Sequence, residues 1–240
     1  MMPDLPNVIL FDIDGTLLST GGAGIKAFHK AIEDTYPSEL DKCGGSLSLD
    51  MAGSTDWGLA IEIFQALGIE DSMNEREVFF AQYIQCLENN LSDPNYKGSL
   101  MPGITRLLEK LFNEANKGKV LLGILTGNIA TGAALKLKKY QVDKYFCFGA
   151  YGDDHHDRNV LGPIALKRGE AYHGLELGKS PVTVIGDTAK DIYCARAMGA
   201  QAVAVSSGSI SYEELAEHDP DLLFKDFTDY ESAYKMICRC

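Results

Sequence analysis

The sequence lacks any long apolar run: nothing in its 240 residues approaches the roughly 20 consecutive apolar residues a membrane-spanning helix needs. The opening segment MMPDLPNVILFDIDG has no basic flank, and aspartates interrupt its short apolar stretch. It does not resemble a signal peptide, so a cytoplasmic protein without membrane association is expected. Positive charge is scarce as well. Twenty-two Lys and Arg against 34 Asp and Glu leave a formal net charge of -12, and no Lys/Arg block offsets it locally. Tracking a nucleic-acid backbone relies on clustered cations and is therefore excluded as an expectation. A small anionic substrate stays compatible if a metal or a few placed cations neutralise its site. Cysteine is sparse and scattered, at Cys43, Cys86, Cys147, Cys194, Cys238 and Cys240. That pattern has neither the density of a disulfide scaffold nor the spacing of a structural zinc site, and the terminal Cys238 and Cys240 read as a reduced pair without function. Internal repeats and low-complexity tracts are absent too. What remains, 45% hydrophobic and 23% charged with 24 Gly and 8 Pro, is the composition of an ordinary globular chain.

The apolar residues fall into short unalternating runs, the pattern of strands buried on both faces of a parallel sheet. They are 7–12 (NVILFD), 120–126 (VLLGILT), 145–149 (YFCFG), 182–186 (VTVIG) and 202–205 (AVAV), with 221–226 (DLLFKD) as a short last strand. Turns and helical patterns between them predict an α/β, doubly wound parallel sheet. About a hundred residues separate the first strand from the second, far more than a crossover helix requires. Helical patterns at 23–35, 54–67 and 75–90, with Ser54, Asp71 or Ser72, and Asn74 as caps and Gly68 as a stop, fill that interval. The expected division is a core of 1–17 and 96–240 and an inserted all-helical cap domain of 18–95. The segment SDPNYKGSLMPG returns the chain to the core, where a helix follows over 104–117.

Two strands end in carboxylates. Asp12 and Asp14, two apart at the end of the first strand, address one place at the carboxyl edge of the sheet, and Gly15 and Thr16 follow with close backbone approach, a hydroxyl and an N–H. The segment VTVIGDTAKD repeats the arrangement with Asp187, and Asp191 lies in the first turn of a helix starting near Thr188. Carboxylates gathered at one crevice repel unless a hard divalent cation lies between them; Mg²⁺ suits because it also accepts phosphate oxygens. The segment ILTGN ends the second strand with Thr126, Gly127 and Asn128, whose hydroxyl and N–H groups can hold non-bridging phosphate oxygens. For a cation the segment after the third strand offers Arg158, before a helix, and Lys167 with Arg168 near that helix's far end; Arg158 is the preferred phosphate clamp and Lys167 the reserve.

DIDGT at 12–16, a strand ending in Thr126, a basic residue before a helix, and GDTAKD at 186–191 resemble, in this order, the four motifs of the haloacid dehalogenase-like hydrolase superfamily. The resemblance spans essentially the whole chain. It implies that Asp12 is the nucleophile forming an aspartyl-phosphate, and that Asp14 protonates the leaving oxygen and then takes a proton from water. It implies that Thr126 binds the phosphoryl group, that a family lysine corresponds to Arg158, and that Asp187 ligates Mg²⁺ with Asp12 and the Asp14 backbone carbonyl, supported by Asp191. Dehalogenating members resemble the phosphatases without this Asp-x-Asp pair, so Asp14 favours phosphate esters. Phosphonate cleavage would need a cap lysine, and Lys26, Lys30 and Lys42 read more simply as solvated.

The insertion resembles the helical cap of the phosphoglycolate phosphatase and β-phosphoglucomutase branch, with Gly21, Gly22 and Gly24 as its flexible entry. Such a cap disfavours large substrates and points to a small phosphorylated metabolite. Within it MAGSTDWG could contact the leaving group, although Ser54 as a helix cap and Trp57 as cap core explain the segment as well. The cluster Asp153, Asp154, His155, His156 and Asp157 reads as a polar rim loop that helps position Arg158. The expected function is a Mg²⁺-dependent phosphatase acting on a phosphate monoester such as phosphoglycolate. A sugar-phosphate mutase and a non-catalytic metabolite-binding protein are the alternatives, and oligomeric state is left open.

Overall fold

The apolar runs become the strands of a single six-stranded parallel sheet in a computed structural model that describes residues 5–238. In chain order β1 is Asn7–Phe11, β2 Leu18–Ser19, α1 Ala23–Thr35, α2 Pro37–Lys42, α3 Asp56–Leu67, α4 Met73–Ser92 and β3 Ser99–Leu100. Then come α5 Ile104–Ala115, β4 Val120–Leu125, α6 Ala130–Lys139, β5 Phe148–Ala150, α7 Leu161–His173, β6 Val182–Gly186 and α8 Ala189–Ala197. The last elements are β7 Gln201–Val205, α9 Tyr212–Ala216, β8 Leu222–Phe224 and α10 Tyr230–Ile237. Sheet order is β5-β4-β1-β6-β7-β8, all parallel, so β1 lies between strands reached in opposite directions along the sheet. Loops that follow neighbouring strands at such a switch point diverge and leave a crevice. In register, Phe11 of β1 faces Ile124 of β4 and Ile185 of β6, which brings Asp12, Thr126 and Asp187 to a common edge.

Both sheet faces are covered. Ile9, Phe11, Leu122 and Ile124 pack with Leu107, Leu108 and Leu111 of α5 on one side, and Val8, Leu10 and Val184 with Leu161, Ala165 and Ile192 on the other. That explains why the strands carry no polar alternation.

The inserted helical region between β1 and β4 has its own core. Buried residues of α1 recur at Ala23, Ala27 and Ala31 and at Phe28 and Ile32, a four-residue spacing that lays one helical face against α4. Phe28 meets Phe79 and Tyr83 edge-on at centroid distances of 5.2 and 4.9 Å. Strands β2 and β3 pair antiparallel and tie the outgoing and returning linkers together. Gly21, at φ 65°, sits where a Cβ would come 2.7 Å from the Lys97 carbonyl carbon, so glycine permits the crossing.

Helix ends differ in detail from expectation. Thr55, not Ser54, caps α3 by accepting the Gly58 N–H at 3.0 Å; Ser54 instead donates to the Asp50 carbonyl. Ser72 caps α4 and Gly68 ends α3 in the left-handed region. Trp57 belongs to neither cap core nor solvent: its ring faces His155 and His156 across the junction with the core and stacks beneath Arg76. Cys238 is buried, and Cys240 lies outside the described residues. No helix among the described residues is long and apolar enough to cross a membrane.

Candidate active site at the carboxyl edge of the sheet

Asp12 follows β1 directly, its backbone N–H donating to the Ile185 carbonyl at 2.9 Å, which fixes its side chain at the crevice floor. Asp187 follows β6 and accepts from the Thr16 hydroxyl at 3.3 Å. Asp191, in the first turn of α8, accepts the Thr188 N–H at 3.1 Å and its hydroxyl at 2.7 Å. These three buried carboxylates offer oxygens that all lie within 4.8 Å of one another. Glycine makes the crowding possible: a Cβ on Gly15 or Gly208 would lie 2.1 or 1.8 Å from Asp187 Oδ2.

Burial, with the Asp12 and Asp191 charges, pushes the Asp187 carboxyl well above the usual carboxylate range. Burial raises Asp12 as well; Arg158 opposes this, Asp191 and Asp14 add to it, and the Thr126 hydroxyl bond lowers it. Three oxygen donors held together at such a cost are a fitting hard-cation site, and the cluster can coordinate a divalent metal.

Two buried cations divide the carboxylates. Arg158 lies 3.1 Å from Asp12 Oδ1, pairs closely with Asp191, and donates to the Gly53 carbonyl of the cap loop at 2.9 Å. Burial alone would lower the guanidinium pKa, yet Asp191 and Asp12 raise it. Arg158 is thus committed to protein partners, tying the strand-end aspartate to α8 and to the cap. Lys136, 3% exposed on α6, reaches Asp14 Oδ2 at 2.6 Å and Asn128 Oδ1 at 2.5 Å. Asn128 in turn donates to Asp14 Oδ2 at 2.9 Å and to the Thr126 hydroxyl at 2.8 Å.

Asp12, Asp14, Thr126, Gly127, Asn128, Arg158 and Asp187 therefore line one cavity of about 630 Å³, and Asp191 stands behind Arg158. Lys167 is exposed on α7 and does not line it; neighbouring Arg168 pairs with Asp154 instead. Lys26, Lys30 and Lys42 are exposed and also outside it. His155 and His156 stack at 4.5 Å and join no metal-competent cluster among the described residues.

Sequence reasoning missed Lys136. The available signal was its position: with Gly132, Ala133 and Leu137 it shares the buried face of α6, where a lysine without a carboxylate partner would be costly. Asp56 belongs to the MAGSTDWG segment, for which the sequence leaves both a leaving-group contact and a purely structural role open. It caps the space from the cap side, accepting the Ile129 N–H at 2.8 Å.

Residues 9–205 match the family model described as haloacid dehalogenase-like hydrolase, and the chain belongs to that family. Its aspartate cluster is that of a phosphoric monoester hydrolase of this type, which transfers a phosphoryl group through an aspartate. The chain is 24% identical over 224 residues to a pyrophosphatase PpaX of Halalkalibacterium halodurans, covering 93% of this chain and 94% of that protein. It is 24% identical to a phosphoglycolate phosphatase of Pseudomonas syringae pv. syringae, covering 92% and 77%. A hydrolase structure from Pseudomonas syringae shares the fold, with a TM-score of 0.68, 21% identity and coverage of 98% of this chain and 99% of that one.

Proposed function

We propose that the protein is a Mg²⁺-dependent phosphatase that hydrolyses a small phosphorylated metabolite through an aspartyl-phosphate on Asp12. The observation that carries the reading is the division of labour between the two aspartates of the first loop. Asp12 is sealed in, its side chain 7% exposed and beside Arg158, whereas the Asp14 side chain is 42% exposed beside Lys136. The sealed carboxylate suits a nucleophile that must exclude water, and the accessible one suits a proton carrier.

Asp12 attacks phosphorus, the ester P–O bond breaks, and the leaving oxygen takes the proton of Asp14. A water then attacks the phosphoryl phosphorus while Asp14 takes its proton, and inorganic phosphate leaves Asp12 restored. Lys136 and the Thr126 hydroxyl, with the Gly127 and Asn128 amides, would hold the phosphoryl oxygens. Asp12 and Asp187, supported by Asp191 and the Asp14 backbone carbonyl, would hold Mg²⁺, which when bound neutralises charge on the transferring group. Residues 18–95 would act as the unit that closes over the ester and excludes bulk water.

The test is inorganic phosphate release from a panel of small phosphate esters, with and without Mg²⁺, for the wild type and Asp12→Asn. Turnover is expected to require both the metal and Asp12, without product isomerisation. Folded, metal-binding protein with no Asp12-dependent release across the panel would sink the assignment.

A further inference from the structure

The cavity's two walls differ in charge. Its cations, Lys136 and Arg158, both come from the core, and both already face carboxylates. The cap wall supplies Ile25, Met51, Leu59, Tyr83, Ser54 and one charged group, Asp56. No Lys, Arg or His of the cap lines the cavity. Asp56 is 7% exposed, and its bond from the Ile129 N–H occupies Oδ2. Tyr83, 2% exposed, shares this wall and feels the Asp56 charge. A substrate whose phosphoryl group sits at Asp12 directs its leaving group toward this wall. A second anionic group there would meet Asp56, whose nearby cation, Lys136, is already engaged by Asp14 and Asn128, and like charges brought together out of water are strongly disfavoured.

We infer that the site selects phosphate monoesters whose leaving group carries no second anion and presents a hydrogen-bond donor, a hydroxyl or an ammonium, to Asp56. This rests on the phosphatase reading for where the phosphoryl group sits. Ser54 and Tyr83 supply further polar contacts, and Ile25, Met51 and Leu59 cover a short carbon chain. The inference separates this chain from what its relatives' names describe, because phosphoglycolate carries a carboxylate on its leaving group and pyrophosphate leaves as phosphate. Asp56 is a specificity-determining residue here. Its effect is on which ester binds, through a carboxylate that an anion cannot approach without cost and that a donor satisfies.

The experiment compares glycerol 3-phosphate, phosphoethanolamine, phosphoglycolate and pyrophosphate as substrates of the Mg²⁺-loaded full chain, with 4-nitrophenyl phosphate reporting the chemistry itself. Expected is a kcat/KM for the first two at least about tenfold above that for the two anionic esters, and a ratio that Asp56→Asn narrows. Phosphoethanolamine ahead of glycerol 3-phosphate in the wild type alone identifies an ammonium at Asp56, and equality identifies a neutral donor; both support the inference. Phosphoglycolate or pyrophosphate preferred, while 4-nitrophenyl phosphate is turned over through Asp12, overturns it and leaves the phosphatase reading intact. Binding keeps the question decidable without turnover: calorimetric titration of Asp12→Asn with the same four compounds should rank them in the same order. Tightest binding of an anionic ester overturns the inference. The expected ranking with no hydrolysis by the wild type upholds it and removes the phosphatase reading instead.

Discussion

The core wall and the cap wall of the cavity are built on opposite plans. On the core side every charged side chain is fixed by a partner distant in sequence: Asp12 by Arg158, Asp14 by Lys136, Asp187 by Thr16. On the cap side the lining is mostly apolar and its one buried carboxylate is held by backbone, the Ile129 N–H of the core. A wall of paired charges presents fixed dipoles to a reacting phosphate, which is what transition-state stabilisation requires. A wall of apolar side chains with one polar handle instead selects by shape and by a few hydrogen bonds. The difference assigns chemistry to the core and choice of ester to the cap.

The comparison breaks most severely at Arg158, which serves both walls by pairing with Asp12 and Asp191 while donating to the Gly53 carbonyl. Arg158→Met leaves two buried carboxylates without their counter-charge, and removing one partner of a buried ion pair costs about 3–5 kcal/mol. Urea unfolding should register a loss of that order. A stability within about 1 kcal/mol of wild type would mean that the carboxylates relax into solvent and that Arg158 does not hold the site together.

The next effect belongs to the cap. Burial pushes Asp56 from its ordinary 3.8 up to about 7, against the Ile129 N–H and the Lys136 charge, which lower it, and with Asp14 and Asp153, which raise it. A folded-state pKa raised above the unfolded one contributes stability below pH 3.8 that is lost as pH climbs to about 7. Tyr83, which also feels the Asp56 charge, is itself pushed up and stays neutral through that window. Asn at position 56 does not titrate, so Asp56→Asn should gain on wild type across this interval by up to about 4 kcal/mol. Parallel stability–pH curves for the two proteins would contradict the burial of a charge at Asp56.

Lys136→Met tests the core wall. Loss of one preorganised charge at a transferring group typically lowers kcat by about a hundred- to a thousandfold, with KM changing less. Lys136→Arg should not rescue it, because a planar guanidinium does not reproduce the compact ammonium that reaches Asp14 Oδ2 and Asn128 Oδ1 together. A kcat within a few-fold of wild type in the Met variant would return the phosphate-clamp role to Arg158.

How much of this was legible in the sequence follows the same division. The buried strands, the insertion and the strand-end aspartates were readable because each is written in contiguous residues: an unalternating apolar run, then a carboxylate and a glycine. Helix α1 is readable over its full length for the same reason, its buried face recurring every three to four residues. Lys136 was not readable as a site group, because what makes it one is that α6 folds back until its second turn lies beside Asp14, far away in sequence. Asp56 looks like an ordinary acidic residue in a helix's first turn, a place where acids are common for electrostatic reasons alone. Only the docking of α3 on the Gly127–Ile129 turn makes it a wall of the cavity.

That docking is also where the two walls can be separated most gently. The Asp56 N–H donates to the Gly127 carbonyl at 2.7 Å, and the Ile129 N–H donates back to the Asp56 carboxylate at 2.8 Å. A Cβ on Gly127 would lie 1.9 Å from the Ser54 carbonyl oxygen, an atom of the cap loop and not of the core. Gly127 has no left-handed φ, so alanine suits its backbone and the collision falls on the junction alone. Gly127→Ala should therefore leave the sheet intact and unseat the cap, an overpacking penalty of about 1–3 kcal/mol confined to one contact. The amides of Asp56 and Ile129 should exchange with solvent faster while those of β1 and β6 keep their protection, and kcat/KM should fall by about tenfold through poorer closure. If exchange accelerates equally in β1 and β6, the cap and the core are not separable units, and the division between a wall for chemistry and a wall for selection does not hold.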